Sequence, residues 1–113
     1  MKILFNFAHN YFLQSQKVNT QTAYEIGGFD KVYEFSMNDI DREFYNKNIN
    51  ILQMPRGAGF WCWKWYFAVK LLNDPEITED DYIFYCDSGS EFVSSIDNLI
   101  EVFDKEKLSV MTF

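Results

Sequence analysis

Two short runs constrain this chain more than any other feature: Lys2–Ala8, with Ile3, Leu4, Phe5 and Phe7, and Tyr82-Ile-Phe-Tyr-Cys86. Neither alternates polar with apolar residues as a strand with one wet face would, and both are too short for an ordinary buried helix. Each reads as a strand covered on both faces, and strands of that kind belong to parallel sheets with helices packed on either side. Tyr82–Cys86 is expected to be a central strand of such a sheet. The fold class that follows is α/β, a mostly parallel sheet flanked by helices, in one domain over residues 1–113.

The segments between these runs fit alternation of strand and helix. Tyr11 to Ile26 is polar and only loosely helical, and Gly27-Gly28 stops it. Asp30–Phe35 reads as a second strand, and Ser36 or Asn38 as the cap of a short helix through Tyr45. Ile49–Met54 reads as a third extended segment ended by Pro55. After a turn at Gly57-Ala-Gly59, Phe60–Asn73 has the length and apolar density of a helix buried on most of its circumference. Asn73–Asp81 is an acidic loop. Ser94 or Ser95 caps an amphipathic helix carrying Ile96, Leu99, Ile100 and Phe103, and Leu108–Phe113 begins a further strand. A chain that stops inside an apolar strand is expected to be part of a longer domain.

With 48% hydrophobic residues and a net charge of −7, the chain has material for a core and lacks the cationic excess of a nucleic-acid groove. The acids are unevenly placed. From Phe44 to Asn73, roughly thirty residues, there is no Asp or Glu, whereas Lys47, Arg56, Lys64 and Lys70 all fall inside. Such a stretch suits a small anion, although it also fits chance clustering around a buried helix. Cys62 and Cys86 form no metal-binding array and read as buried thiols, with a disulfide between them left open. The amino terminus does not resemble a signal peptide and no apolar run reaches membrane-spanning length, so the expectation is a cytoplasmic chain, at most peripheral to the inner face of a membrane.

Three groups carry the chemistry. Asp87, at the end of the Tyr82–Cys86 run, stands where open α/β sheets place their ligands. Ser88 and Gly89 leave room beside it, and Glu91 is a second carboxylate, so Asp87 and Glu91 form a candidate site for Mn²⁺ or Mg²⁺ bridging to phosphate oxygens. The competing reading of Asp87-Ser-Gly89 is a plain turn. Arg56, Gly57, Gly59 and Lys64 form the second group: glycines allow close backbone approach, while guanidinium and ammonium suit phosphate. Lys64 either meets an anion, with Asp87 the expected partner when no ligand is bound, or snorkels to solvent. The third group, Ala8-His9-Asn10-Tyr11, follows the first strand and would face the same side as Asp87, within reach of a nucleoside. Walker and GxGxxG sequences are absent.

At these residues the chain resembles nucleotide-sugar-dependent glycosyltransferases of the GT-A fold, of the bacterial and viral polysaccharide type, and more distantly the glycogenin-like transferases. The resemblance rests on Arg56, Gly57, Gly59, Phe60, Trp63 and Lys64, followed by Tyr85 and Asp87-Ser-Gly89. It implies a Rossmann-like nucleotide-binding half of a GT-A domain, incomplete at its carboxyl end. It also implies a nucleotide-diphosphate sugar as donor and a glycan or other hydroxyl as acceptor. Ala8 to Tyr11 would then contact the nucleoside, Lys64 the diphosphate or sugar, and Asp87 the ribose or metal. The chain departs from the pattern at Trp65, where the family often has proline, and at Gly89, where an Asp-x-Asp motif has its second carboxylate. The competing reading is a non-catalytic α/β interaction module that binds a protein partner through its aromatic surface.

Overall fold

β1, Lys2–Phe7, is the middle strand of a three-stranded, all-parallel sheet of order β2-β1-β3. The computed structural model describes residues 1–112, apart from the side chain of Phe60. β2, Lys31–Phe35, pairs with β1 in the register Leu4 with Val32 and Phe7 with Phe35. β3, Tyr82–Tyr85, pairs on the other side, Ile3 with Ile83 and Phe5 with Tyr85. The expected position of the third run is therefore corrected: β3 is parallel but lies at the edge of the described sheet, and β1 is central. Both of its faces are nonetheless covered, Ile83 and Tyr85 by one core and Phe84 and Cys86 by the other, which is why its sequence reads as a central strand.

Between β1 and β2 the chain makes a 3₁₀ turn at Asn10–Phe12, helix α1 at Leu13–Thr22 and one π-helical turn at Ala23–Gly27. Gly28, at φ 81°, ends it in the left-handed conformation that glycine adopts without penalty. Between β2 and β3 come α2 (Arg42–Lys47), α3 (Ile49–Leu52), the single turn α4 (Gly57–Phe60) and α5 (Cys62–Leu72). Helix α6 spans Asp97–Lys105.

Two capping expectations resolve differently. Ser36 caps only a 3₁₀ turn, Met37–Asp39, with Asp39 accepting in return from the Ser36 N–H, whereas α2 is a separate helix capped by Asp41. Ser95 accepts from the Asp97 N–H at the start of α6. Ile49–Met54 is not extended. Asn48 accepts from the Ile51 and Leu52 N–H groups and turns the segment into α3, so that Leu52 reaches the core; a short apolar run cannot by periodicity alone separate strand from helix. Leu108–Thr112 likewise forms no strand: Lys107 takes a positive φ of 52° and Leu108 donates to the Phe103 carbonyl, closing the end of α6. The remainder of that expected strand, Phe113, lies outside the described residues.

Two cores sandwich the sheet. On one face Leu4, Ala23, Phe29 and Ile96 gather with Phe84, Phe92, Leu99 and Ile100. On the other, Phe5, Phe7 and Phe35 pack against Trp63, Phe67 and Leu71 of α5 and against Leu52. Successive turns of α5 cross the strands. Trp63 stacks on Phe7 at 4.0 Å and also meets Tyr85 at 6.0 Å, and one turn later Phe67 stacks on Phe35 at 4.1 Å. Each such aromatic pair adds about 0.5–1.5 kcal/mol beyond the area it buries.

Candidate functional site

The strand order creates the site. From β1 the chain moves to β2 on one side and then returns past β1 to β3 on the other, so the loops leaving β1 and β3 start side by side at the carboxyl ends of neighbouring strands. The carboxyl ends of the strands are where open parallel sheets place their ligands. Ala8, His9, Asn10 and Tyr11 follow β1, and Asp87, Ser88 and Gly89 follow the neighbouring β3. Ala8 is buried and donates its N–H to the Phe35 carbonyl, which holds the start of the loop to β2. His9 is half-buried, Asn10 has a positive φ of 54°, and Tyr11 is 95% exposed.

Lys64 and Asp87 come together only through Tyr85. The Lys64 ammonium lies 4.4 Å from the centroid of the Tyr85 ring, and the Tyr85 hydroxyl donates to Asp87 Oδ1 at 2.5 Å. The expected Lys64–Asp87 ion pair is not formed, and among the described residues Lys64 has no carboxylate partner. The half-buried ammonium is held by a π face instead, at a strength of about 0.5–2 kcal/mol. Burial, reinforced by the neighbouring Asp87 carboxylate, pushes the Tyr85 phenol far above its ordinary value, so it stays a proton donor. Tyr85 is thus a site residue that the sequence reading used as a landmark and assigned no role.

The Arg56–Lys64 block is built differently from its sequence reading. Gly57, Ala58, Gly59 and Trp61 all adopt positive φ. A side-chain carbon on Gly57 would fall 2.5 Å from the Trp61 ring, and one on Gly59 would fall 2.8 Å from the Leu52 Cα. Gly57 is therefore required by packing within the block, and Gly59 by its close approach to the backbone of α3. Trp63 Nε1 donates to the Gly57 carbonyl and ties the turn to the core helix. Trp61 is a left-handed cap, so α5 begins at Cys62. Arg56 is exposed, with its guanidinium carbon 6.0 Å from the Trp61 ring centroid, and it makes no described contact with Lys64 or Asp87.

A buried amide network ties α1 to the strands and loops around these residues. Asn6 sits fully buried in β1, and its Nδ2 donates to Asn19 Oδ1 at 2.7 Å and to Thr20 Oγ1 at 3.2 Å. Gln16 Nε2 donates to Asn6 Oδ1 and to the Phe35 carbonyl, both at 3.0 Å. Asn19 Nδ2 donates to the Ser90 carbonyl at 2.8 Å and to Cys86 Sγ at 3.2 Å. One network thereby fastens α1 to β1, to the end of β2 and to the loop after β3. Among the described residues no buried side-chain nitrogen or oxygen lacks a partner. The signal was in the sequence: an asparagine inside a run buried on both faces must find partners, and Gln16 and Asn19, three apart on a helix, present them together.

Ser88 is buried, whereas Asp87, Gly89 and Glu91 are exposed, and nothing lies within 4 Å of a side-chain carbon placed on Gly89. Among the described residues no three His, Cys, Asp or Glu side chains converge as a metal cage. Cys62 and Cys86 are both free, partly buried thiols, and burial raises both, so neither is poised as a thiolate. Among the described residues no helix is long and apolar enough to cross a membrane. No family model, no curated protein and no solved structure matches the chain.

Proposed function

We propose that the chain binds a nucleotide-diphosphate sugar, as the donor-binding portion of a glycosyltransferase of the GT-A fold that passes the sugar to an acceptor hydroxyl on a glycan. The observation that carries this reading is the Lys64–Tyr85–Asp87 cluster at the carboxyl end of β3, beside β1. A cation resting on an aromatic ring, with no carboxylate to neutralise it, is available to diphosphate oxygens. Tyr85 orients the Asp87 carboxylate with one oxygen and leaves the other open toward ribose or metal. The loop from Ala8 to Tyr11 faces the nucleoside, and Arg56 adds a second, exposed cation. A divalent ion held by Asp87, with Glu91 as second carboxylate, would supply charge neutralisation for the departing diphosphate.

The test is calorimetric titration of the folded chain with UDP and GDP, with and without Mn²⁺. Binding strengthened by Mn²⁺ is expected, and Asp87→Ala and Lys64→Ala should each weaken it by about tenfold or more, the loss of one charge-assisted contact. A folded chain that binds neither nucleotide overturns the reading.

A further inference from the structure

The side-chain amide of Asn19 reaches from α1 across the turn that carries Asp87. It is fully buried, and its Nδ2 donates to Cys86 Sγ at 3.2 Å and to the Ser90 carbonyl at 2.8 Å, on either side of Asp87-Ser88-Gly89. The Ser90 N–H closes the same turn on the Asp87 carbonyl at 3.0 Å. Which end of the Asn19 amide faces the turn is settled from behind: Asn6 Nδ2 donates to Asn19 Oδ1 at 2.7 Å, and Asn6 Oδ1 is itself taken by Gln16 Nε2. A reversed Asn19 amide would set two donors against each other and turn an oxygen toward the Ser90 carbonyl. Thr22, three residues further along α1, accepts from the Phe92 N–H at 3.0 Å, outside the turn.

We infer that Asn19 is the positioning residue for Asp87: by holding Cys86 and Ser90 together it sets where the Asp87 carboxylate meets the Tyr85 hydroxyl, and so what the site presents to its ligand. As far as the ligand is concerned, this role rests on the nucleotide reading. Asp87 and Gly89 are exposed, and nothing lies within 4 Å of a side-chain carbon placed on Gly89, so of the three turn residues only Ser88 is packed. A loop residue with few packing contacts keeps its place through the bonds that restrain its neighbours. Those bonds are firm here, because breaking them leaves buried polar groups without partners. Helix α1 also begins directly after the Asn10–Phe12 turn, so the loops that follow β1 and β3 share one anchor.

The experiment compares Asn19→Ala with Thr22→Val, which removes a bond from the same helix to the same segment outside the turn. The Asp87 carboxylate is followed by its ¹³C signal at neutral pH, with Tyr85→Phe marking the signal of a carboxylate released from the hydroxyl. Asn19→Ala is expected to move the Asp87 signal toward that of Tyr85→Phe, and Thr22→Val to leave it in place. Titration with UDP and Mn²⁺ should show affinity falling about tenfold in Asn19→Ala, the loss of one charge-assisted contact, and less than about twofold in Thr22→Val. Cys86→Ala removes one anchor only and should shift Asp87 in the same direction by less, which keeps the test decisive if Asn19→Ala does not fold. An unmoved Asp87 signal in these folded variants overturns the inference whatever the nucleotide does. Equal displacement by Thr22→Val overturns it too, since general loosening would then account for both, and so does a displaced signal with undiminished affinity. If the wild-type chain binds neither UDP nor GDP, the nucleotide reading falls and the Asp87 signal alone decides the role of Asn19.

Discussion

The ammonium of Lys64 rests 4.4 Å from the ring centroid of Tyr85, and that same ring carries the hydroxyl bonded to Asp87. One side chain at the end of β3 therefore sets the positions of a cation from α5 and an anion from the following loop. Because the phenol is protonated far beyond neutral pH, its bond to Asp87 persists across the physiological range.

Tyr85→Phe separates the two roles, since it keeps the ring under Lys64 and removes the donor to Asp87. Stability in urea is expected to fall by about 1 kcal/mol, the usual worth of one hydrogen bond. Nucleotide affinity measured by calorimetry should fall less than in Asp87→Ala. Tyr85→Leu, which removes both contacts, should cost more on both measurements.

The two glycines flanking the site differ in what they tolerate. Gly59 has φ 98° and a backbone atom 2.8 Å from where a side chain would begin, so Gly59→Ala should destabilise by about 2 kcal/mol or more in a urea melt. Gly89 faces open space without positive φ, and Gly89→Ala is expected to stay within about 0.5 kcal/mol of wild type. Equal effects at the two positions would contradict the described turn geometry.

Asn19→Leu keeps the volume of a buried side chain while removing the donor to Ser90 and Cys86 and the acceptor for Asn6. A loss of about 2–4 kcal/mol is expected, because the buried Asn6 amide, the Ser90 carbonyl and the Cys86 thiol each lose a partner. Hydrogen exchange should accelerate at the Ser90 amide, which bonds to the Asp87 carbonyl within the affected loop. Combined with Asn6→Leu, the loss should be smaller than the sum of the single losses, as one network is broken twice.

Acid stability provides a further check. The Asp81 carboxyl is held below the usual range by its bond from the amino-terminal ammonium and by the Thr78 N–H. Asp41, through the Phe44 N–H, and Asp97, through Lys2, are lowered as well. A carboxyl lowered in the folded state contributes fully above its unfolded value of about 4 and loses that contribution as pH falls through the folded value. Urea melts at successive pH values should therefore show stability declining below about pH 4. Asp81→Asn should make that decline shallower.

Legibility in the sequence followed the range of the interactions. β1 and β3 announced themselves because burial on both faces leaves a dense apolar run, and Gly28 marked its helix end because only a left-handed residue could stand there. Ile49–Leu52 was misread since four apolar residues carry too little periodicity, and the hydrogen bonds to Asn48 decided the matter. In the site, Asp87 and Lys64 were visible as charges at meaningful places. Their connection was not, because a cation on a ring leaves no spacing signature and the contact joins residues of different elements.

From residue order alone came the α/β class, the cationic acid-free stretch and the placement of Asp87 just beyond a buried strand, since composition and periodicity report how much of each segment is hidden from water. Only the tertiary structure decided that β1 is central, that β2 and β3 lie on opposite sides of it, and that the loops after β1 and β3 therefore leave neighbouring strands. It alone showed that Gly57 and Gly59 make room for Trp61 and Leu52, and that Asn6, Gln16 and Asn19 fasten α1 to β1, to the end of β2 and to the loop after β3. Those features depend on which residues distant in sequence meet, and that is settled by how the whole chain shares its buried space and satisfies its buried polar groups.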